Sequence, residues 1–171
     1  VSEVMQQFAG YLEQELSNIV SKINYLQLDS DFINTMKLLI YEDKQSYAVE
    51  ASRISGKLSQ IKSSEEMINS IFIHTDKCYF YNFNSVLLEN SQFITTQLYS
   101  QVQGKKKIYW GTRMKDELFR NSKEVIPMMM PVCIANESLE GYIIVYLDAE
   151  VLKQRLAGIS KNLNAILYII N

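Results

Sequence analysis

The chain has 171 residues, a mass of 19.8 kDa and a net charge of -2, which suits one domain or one domain with a helical extension. It is 47% hydrophobic and 21% charged, close to an average soluble globular protein, so it can bury a sizeable core. The balanced charge argues against a general nucleic-acid binder. No apolar run approaches the roughly 18 residues of a membrane span, and six glycines and two prolines are too few for a β-sandwich of many tight turns.

The first third reads as helix. Val1, Met5, Phe8, Leu12, Leu16, Ile19, Ile23 and Leu26 recur every three or four positions, one continuous apolar stripe. A helix of about 27 residues would span roughly 40 Å, long for a globular domain. Asp29-Ser30-Asp31 offers caps for a second helix with Phe32, Ile33, Met36, Leu39 and Ile40 inside, and Glu42-Asp43 can cap a third. Tyr47, Ala51, Ile54, Leu58 and Ile61 give that third helix its stripe, and Ser63 to Glu66 end it.

From residue 67 the texture is β. Ile68 to Ile73, the polar Thr75-Asp76-Lys77 and Cys78 to Tyr81 form a hairpin signal. Phe93, Leu98 and Val102 suggest a short helix, Lys105 to Lys107 a solvated charge run, and Ile108-Tyr109-Trp110 a brief strand or loop anchor. Two long strands follow, Val125 to Ile134 and Tyr142 to Leu147, joined by Ala135 to Glu140 with Gly141 at the turn exit. Asp148 then caps a helix through Val151, Leu152 and Leu156, and Ala165 to Ile170 reads as a last strand. Short links imply antiparallel pairing. The expected fold is α+β: a long N-terminal helix and two shorter helices packed on one face of an antiparallel sheet of about five strands. The expected division is a helical segment over residues 1–66 and a sheet domain over residues 67–171.

Catalytic constellations are missing. His74 is the only histidine, and Cys78 and Cys133 are the only cysteines, so there is no zinc-ligand cluster and any Ser-His-acid triad would need His74 as base. Gly-rich phosphate loops are absent too. No cofactor or metal is expected. The two cysteines pair if they sit on adjacent strands, and otherwise read as buried free thiols. His74 itself reads as a turn-flanking surface residue. Val1 falls in register with a helix and Ile169-Ile170-Asn171 closes an apolar run, so the chain reads as a segment of a longer polypeptide.

Ile68-Asn69-Ser70-Ile71-Phe72-Ile73, a polar turn and Tyr79-Phe80-Tyr81-Asn82 resemble the first hairpin of a Cache domain. Val125-Ile126-Pro127-Met128, a loop and Gly141-Tyr142-Ile143-Ile144-Val145-Tyr146-Leu147-Asp148 resemble its later strand, turn, strand and helix entry. The long leading helix belongs to the same pattern. The three-helix lead-in and Trp110 most resemble the sensor region of YesM-like histidine kinases. The resemblance implies a non-catalytic, extracytoplasmic sensor module of a bacterial receptor. Its parent would be anchored by membrane helices outside this chain and would be homodimeric, and an unknown small molecule or peptide would be its ligand. Ligand binding would shift sheet packing, and the long helix would relay that shift if it has two packing states that the ligand prefers unequally. One departure is clear. Amino-acid-binding double Cache domains carry Arg-x-Trp-Tyr, whereas this chain reads Tyr109-Trp110-Gly111-Thr112-Arg113, which places amino-acid binding in doubt.

A PAS-like pocket would lie between the sheet and the variable middle segment, mostly apolar with a few polar groups. That nominates Tyr81, Tyr109, Trp110, Arg113, Met128, Met130, Tyr146 and Asp148 as ligand-binding residues. Each has a plainer reading: Trp110 as a loop anchor, Arg113 as part of a basic face, Met128 and Met130 as core, Asp148 as a helix N-cap. Residues 1–66 carry six basic and ten acidic groups, and residues 67–171 eleven and nine. A sensor of a histidine kinase is the preferred reading. The alternatives are the same module in a chemoreceptor or cyclic-dinucleotide enzyme, or a helical dimerisation module with no small-molecule ligand.

Overall fold

The computed structural model describes residues 2–41, 47–132 and 141–162. Helix α1 runs from Ser2 to Leu28 and α2 from Ser30 to Tyr41, as the apolar spacing predicts. Asp29 caps α2: its Oδ1 accepts the Phe32 N–H at 2.7 Å. Lys57 reaches across from α3 (Tyr47–Ser64) to Asp29 and Asp31 at 3.2 and 3.0 Å. The Phe32 N–H, with Lys57 beside it, holds the Asp29 carboxyl below the usual range. Residues 42–46, and with them the Glu42-Asp43 cap, lie outside the described residues.

All strand pairs are antiparallel. The strands are β1 (Ile68–Thr75), β2 (Tyr79–Tyr81), β3 (Tyr109–Trp110), β4 (Met114–Lys115), β5 (Glu124–Pro131) and β6 (Gly141–Asp148). Their order is β2-β1-β6-β5-β3, with β4 also pairing β5. The central pair β1–β6 runs from Ile68 opposite Leu147 to Thr75 opposite Gly141, with a register shift between Ile68 and Ser70 and an unbroken register from Ser70 onward. A Cβ at Gly141 would lie 3.0 Å from the His74 carbonyl oxygen, so glycine is what lets the two strands close there. The β1–β2 turn is tied by Thr75, whose N–H donates to the Cys78 carbonyl at 2.8 Å and whose Oγ1 accepts the Cys78 N–H at 3.0 Å. The sequence reading missed β4, a strand of two residues, too short to show alternation.

A 3₁₀ turn at Phe93–Thr95 leads into α4 (Gln97–Val102), where the Thr96 hydroxyl caps by accepting the Tyr99 N–H at 3.2 Å. Helix α5 spans Ala149–Asn162. Its Arg155 reaches Glu15 of α1 at 2.7 Å and Glu66 at 3.0 Å. The proposed connector 135–140, the strand over 165–170 and Cys133 lie outside the described residues. Cys78 is a buried free thiol.

Alternation along the strands produces two apolar layers. On one face Ile71, Ile73, Met128, Met130, Ile143 and Val145 meet helix residues such as Ile19, Ile23, Met36, Ile54 and Leu58. On the other, Phe72, Met129, Tyr142, Ile144 and Tyr146 meet Phe93, Leu98, Val102, Leu118 and Phe119. Helices on one face were expected; the middle segment also covers the second. Among the described side chains of α1, those sunk in the core are Ile19, Ile23 and Leu26.

Candidate functional site

The second face carries the ring side chains. Phe72 lies edge-on to Phe93, Phe119 and Tyr146 at centroid distances of 5.3, 5.6 and 5.3 Å. Such T-shaped pairs are favourable beyond their burial. Between these rings and the hairpin turn opens a cleft of ≈ 270 Å³, walled by Phe72, His74, Tyr81, Phe93, Leu118 and Phe119 among others. β1 and β2 build its floor, and the 3₁₀ turn and residues 118–119 build its rim. An isolated bridge between Leu87 and Phe119, with the Arg120 N–H donating to the Val86 carbonyl at 2.8 Å, fixes the rim to the chain leaving β2.

His74 is half-buried in this wall, with the Phe93 and Tyr99 rings at 5.1 and 5.8 Å. Burial lowers its pKa, and Asp76 works weakly the other way. It is a lining residue, not the surface residue expected from the sequence. The polar turn beside it hid the fact that it shares the face of Phe72, two positions earlier.

Polar atoms without partners lie behind the wall. Asp116, 1% exposed, follows β4 and folds into an Asx-type turn. Its Oδ1 accepts the Leu118 and Phe119 N–H groups at 2.8 and 3.0 Å. Its Oδ2 has no hydrogen-bond partner among the described residues. Burial pushes this carboxyl up, the two N–H groups restrain the rise, and the charge of Glu117 adds to it. Tyr146, fully buried, and Ser70, opposite it in the β1–β6 register, also have unpaired hydroxyls. Burial first, then the charges of Asp116 and Glu117, oppose ionisation of the Tyr146 phenol. An unpaired buried polar group costs about 1–3 kcal/mol, and native folds hold few of them. Three of them, Ser70, Asp116 and Tyr146, are associated with this aromatic face. Among the described residues, Glu50 Oε2, which has the Arg53 guanidinium at 3.5 Å, and Asn69 Nδ2 also lack a hydrogen-bond partner.

The sequence-nominated residues divide. Tyr81 lines the cleft and Tyr146 lies beneath it. Tyr109 shares the face but packs further along, its hydroxyl donating to Gln101 Oε1 at 3.1 Å. Trp110 is 40% exposed on an edge strand opposite Met128, neither core anchor nor cleft wall. Arg113 is paired on the outside with Glu124 and, at 3.9 Å, Glu150. Asp148 caps α5: its Oδ1 accepts the Glu150 and Val151 N–H groups at 3.0 and 3.2 Å, and its Oδ2 binds Lys123 Nζ at 2.7 Å. Burial resists ionisation of Asp148, but Lys123 and those N–H groups hold its pKa below the usual range. Met128 and Met130 belong to the helix-facing layer. The run of three methionines conceals the strand's phase, and it is Met129 that faces Phe72 and Tyr146. The sequence reading missed Phe72, Phe93, Phe119, Ser70 and Asp116. The alternation Ser70, Phe72, His74 was the available signal for the β1 members.

Among the described residues no group of three or more His, Cys, Asp or Glu is placed to hold a metal, and no helix is long and apolar enough to cross a membrane. No family model and no curated protein matches the chain. Solved structures do match, and they are sensory domains of the Cache-like fold. The ligand-binding domain of the Campylobacter jejuni chemoreceptor Tlp3, in complex with L-norvaline, superposes with a TM-score of 0.68 at 14% identity, covering 91% of this chain and 59% of that one. The ligand-binding domain of Mlp24 with asparagine gives 0.57 at 15% identity over 90% of this chain and 59% of the other. The domain of the Pseudomonas aeruginosa PAO1 amino-acid chemoreceptor PctC, in complex with GABA, gives 0.54 at 17% identity over 86% and 66%. The chain thus spans about three fifths to two thirds of the length of these structures. It shares their α+β architecture: a long helix and an antiparallel sheet with helices against one face.

Proposed function

We propose that this chain is a ligand-sensing domain of a membrane receptor, lying on the extracytoplasmic side, and that it binds a small molecule and performs no catalysis. The observation that carries this reading is the aromatic cleft on the sheet face opposite the long helix, with unpaired buried polar groups behind it. Apolar walls with a few polar groups are what a small-molecule site requires. The fold shared with chemoreceptor sensory domains supports it. The resemblance of the lead-in to YesM-like kinases makes a histidine kinase the proposed output, with a homodimer as its working form.

A route from cleft to helix exists in the packing. Phe72 and Ile73 are successive residues of β1, one in the cleft wall and the other against the helices. A ligand that moves the wall therefore strains the strand that α1 to α3 rest on. It biases the helices only as far as it prefers one packing state over the other.

The test is a metabolite screen read by thermal shift, because a ligand that binds only the native state raises Tm. The expected result is a dose-dependent rise that Leu87→Trp, which fills the cleft, removes. If no compound raises Tm, or if Leu87→Trp leaves every shift intact, the cleft is not a ligand site. A second reading, an amino-acid ligand, is favoured by the similar structures, which are in complex with L-norvaline, GABA and asparagine. Against it stands the outward engagement of Arg113, the one nominated site residue whose guanidinium could clamp a ligand carboxylate.

A further inference from the structure

We propose that the cleft takes a small organic monocation, a primary amine on an aromatic or branched apolar body, with the Asp116 carboxylate as its counter-ion and no clamp for a ligand carboxylate. This rests on the sensor reading above and adds the ligand's charge.

Three observations converge. The walls include Phe72, Tyr81, Phe93 and Phe119, and ring faces attract cations while accommodating apolar bodies. Behind them Asp116 Oδ2, Tyr146 Oη and Ser70 Oγ are buried without partners. All three can accept a hydrogen bond, and an ammonium group has three donors and no acceptor. Ser70 and Tyr146 are cross-strand partners, and Asp116 acts electrostatically on Tyr146. The Tyr146 ring lies against Phe72 and 6.4 Å from Phe119, so a ligand ammonium would reach this polar group from the cleft by displacing the Phe119 ring.

The third observation is where the cations are. Lys77, in the cleft lining, directs its ammonium to the Ile40 carbonyl at 3.5 Å and over the Tyr41 ring at 4.9 Å. Arg113 is held by Glu124 and Glu150 outside the cleft. The remaining charged liner is Asp76. His74, its pKa lowered by burial, is neutral at pH 7. An anionic ligand would meet Asp116 and Asp76 without a free cation among the described liners. A zwitterion would have its carboxylate unanswered, and a buried charge without a partner is costly.

Three probes with one ring and different charge decide it: phenethylamine, phenylalanine and 3-phenylpropionate, each titrated into the full chain by calorimetry and thermal shift. The expected order is amine first, zwitterion at least about tenfold weaker, roughly 1.4 kcal/mol, and acid without binding. Asp116→Asn keeps the Oδ1 acceptor for Leu118 and Phe119, so it should fold, with an unchanged or higher Tm, and lose amine binding. Tyr146→Phe keeps the ring and should weaken the amine several-fold. Arg113→Ala should leave amine affinity unchanged. Tighter binding of the zwitterion or the acid overturns the proposal, as does amine binding indifferent to Asp116→Asn. Failure of all three probes overturns it as well. A hit from the wider metabolite screen that Leu87→Trp blocks would then keep the sensor reading while discarding the cationic ligand.

Discussion

The two faces of one sheet treat polar atoms in opposite ways. The helix-facing layer is aliphatic; of the buried polar groups beside it, Thr75 and Asn82 are satisfied, and Glu50 of α3 has Arg53 at 3.5 Å. Thr75 donates to and accepts from Cys78. Asn82, fully buried, accepts from the Ile71 N–H at 2.9 Å and the Ser85 hydroxyl at 3.1 Å and donates to the Phe83 carbonyl at 2.8 Å. The cleft-facing layer is aromatic and keeps Ser70, Asp116 and Tyr146 unpaired. Residues adjacent in sequence, such as Phe72 and Ile73, thus serve stability on one side and, in the function proposed above, recognition on the other. Functional sites retain groups that stability alone would remove.

The largest effect belongs to the helix side. Ile143→Ala, at a fully buried position of that layer, should cost about 2–5 kcal/mol by lost transfer energy and cavity formation, read as a drop in denaturation midpoint at constant m. A loss under about 1 kcal/mol would mean that this layer is not the stabilising one. Asn82→Ala comes next. It leaves the Ile71 N–H and the Phe83 carbonyl short of a partner and should cost about 1–3 kcal/mol. The same denaturation series checks it, and a neutral outcome would erase the contrast in polar satisfaction.

The third prediction reverses sign. Asp116→Asn and Tyr146→Phe remove an unpaired charge and an unpaired hydroxyl from the cleft side. Each should leave the unliganded chain as stable as before or more stable by about 1 kcal/mol. For Asp116 the direction follows from linkage. Its folded pKa lies above the unfolded value, so its contribution is most favourable below that unfolded value and declines as pH rises through the folded one. Asparagine removes the decline, and its advantage should therefore grow with pH. Destabilisation by either variant would show that these atoms are structural and would sharpen the comparison against the site.

Much of this division was legible in the sequence, and the remainder has physical causes. Spacing of three and four marked α1 to α3 because each buries one stripe, as at Phe32, Met36, Leu39 and Ile40 of α2. The hairpin was legible because β-branched and aromatic runs flank a polar turn. The face of each strand was not. Every residue of β6 is buried, since both faces are covered, so no polar alternation sets its phase, and Met128 to Met130 erase that of β5. Asp116 was invisible for another reason. It sits in a charged stretch, Lys115-Asp116-Glu117, where only the fold reveals that one of the three charges points inward to two backbone N–H groups.

The smallest effect isolates the cleft wall by its titration. His74 is the only histidine; it stands between Tyr79 and Tyr142 in the sheet, with Phe93 and Tyr99 above it. Asp76 and Lys77 are the charged groups of the adjoining turn. Burial lowers its pKa more than Asp76 restores it, so the native imidazole stays neutral where the unfolded one, titrating near ~6.5, is already protonated. Its contribution to stability is therefore complete above that unfolded value and is lost as pH falls through the lower folded one. Burial pushes the Cys78 thiol of the helix-facing layer up, away from this range, so it adds nothing to the slope. Denaturation midpoints of the native chain and His74→Gln between about pH 8 and 5 should diverge in that sense, the native chain losing more on acidification. Parallel curves would mean that His74 is as solvated in the native state as in the unfolded one, and the cleft would lose that part of its wall.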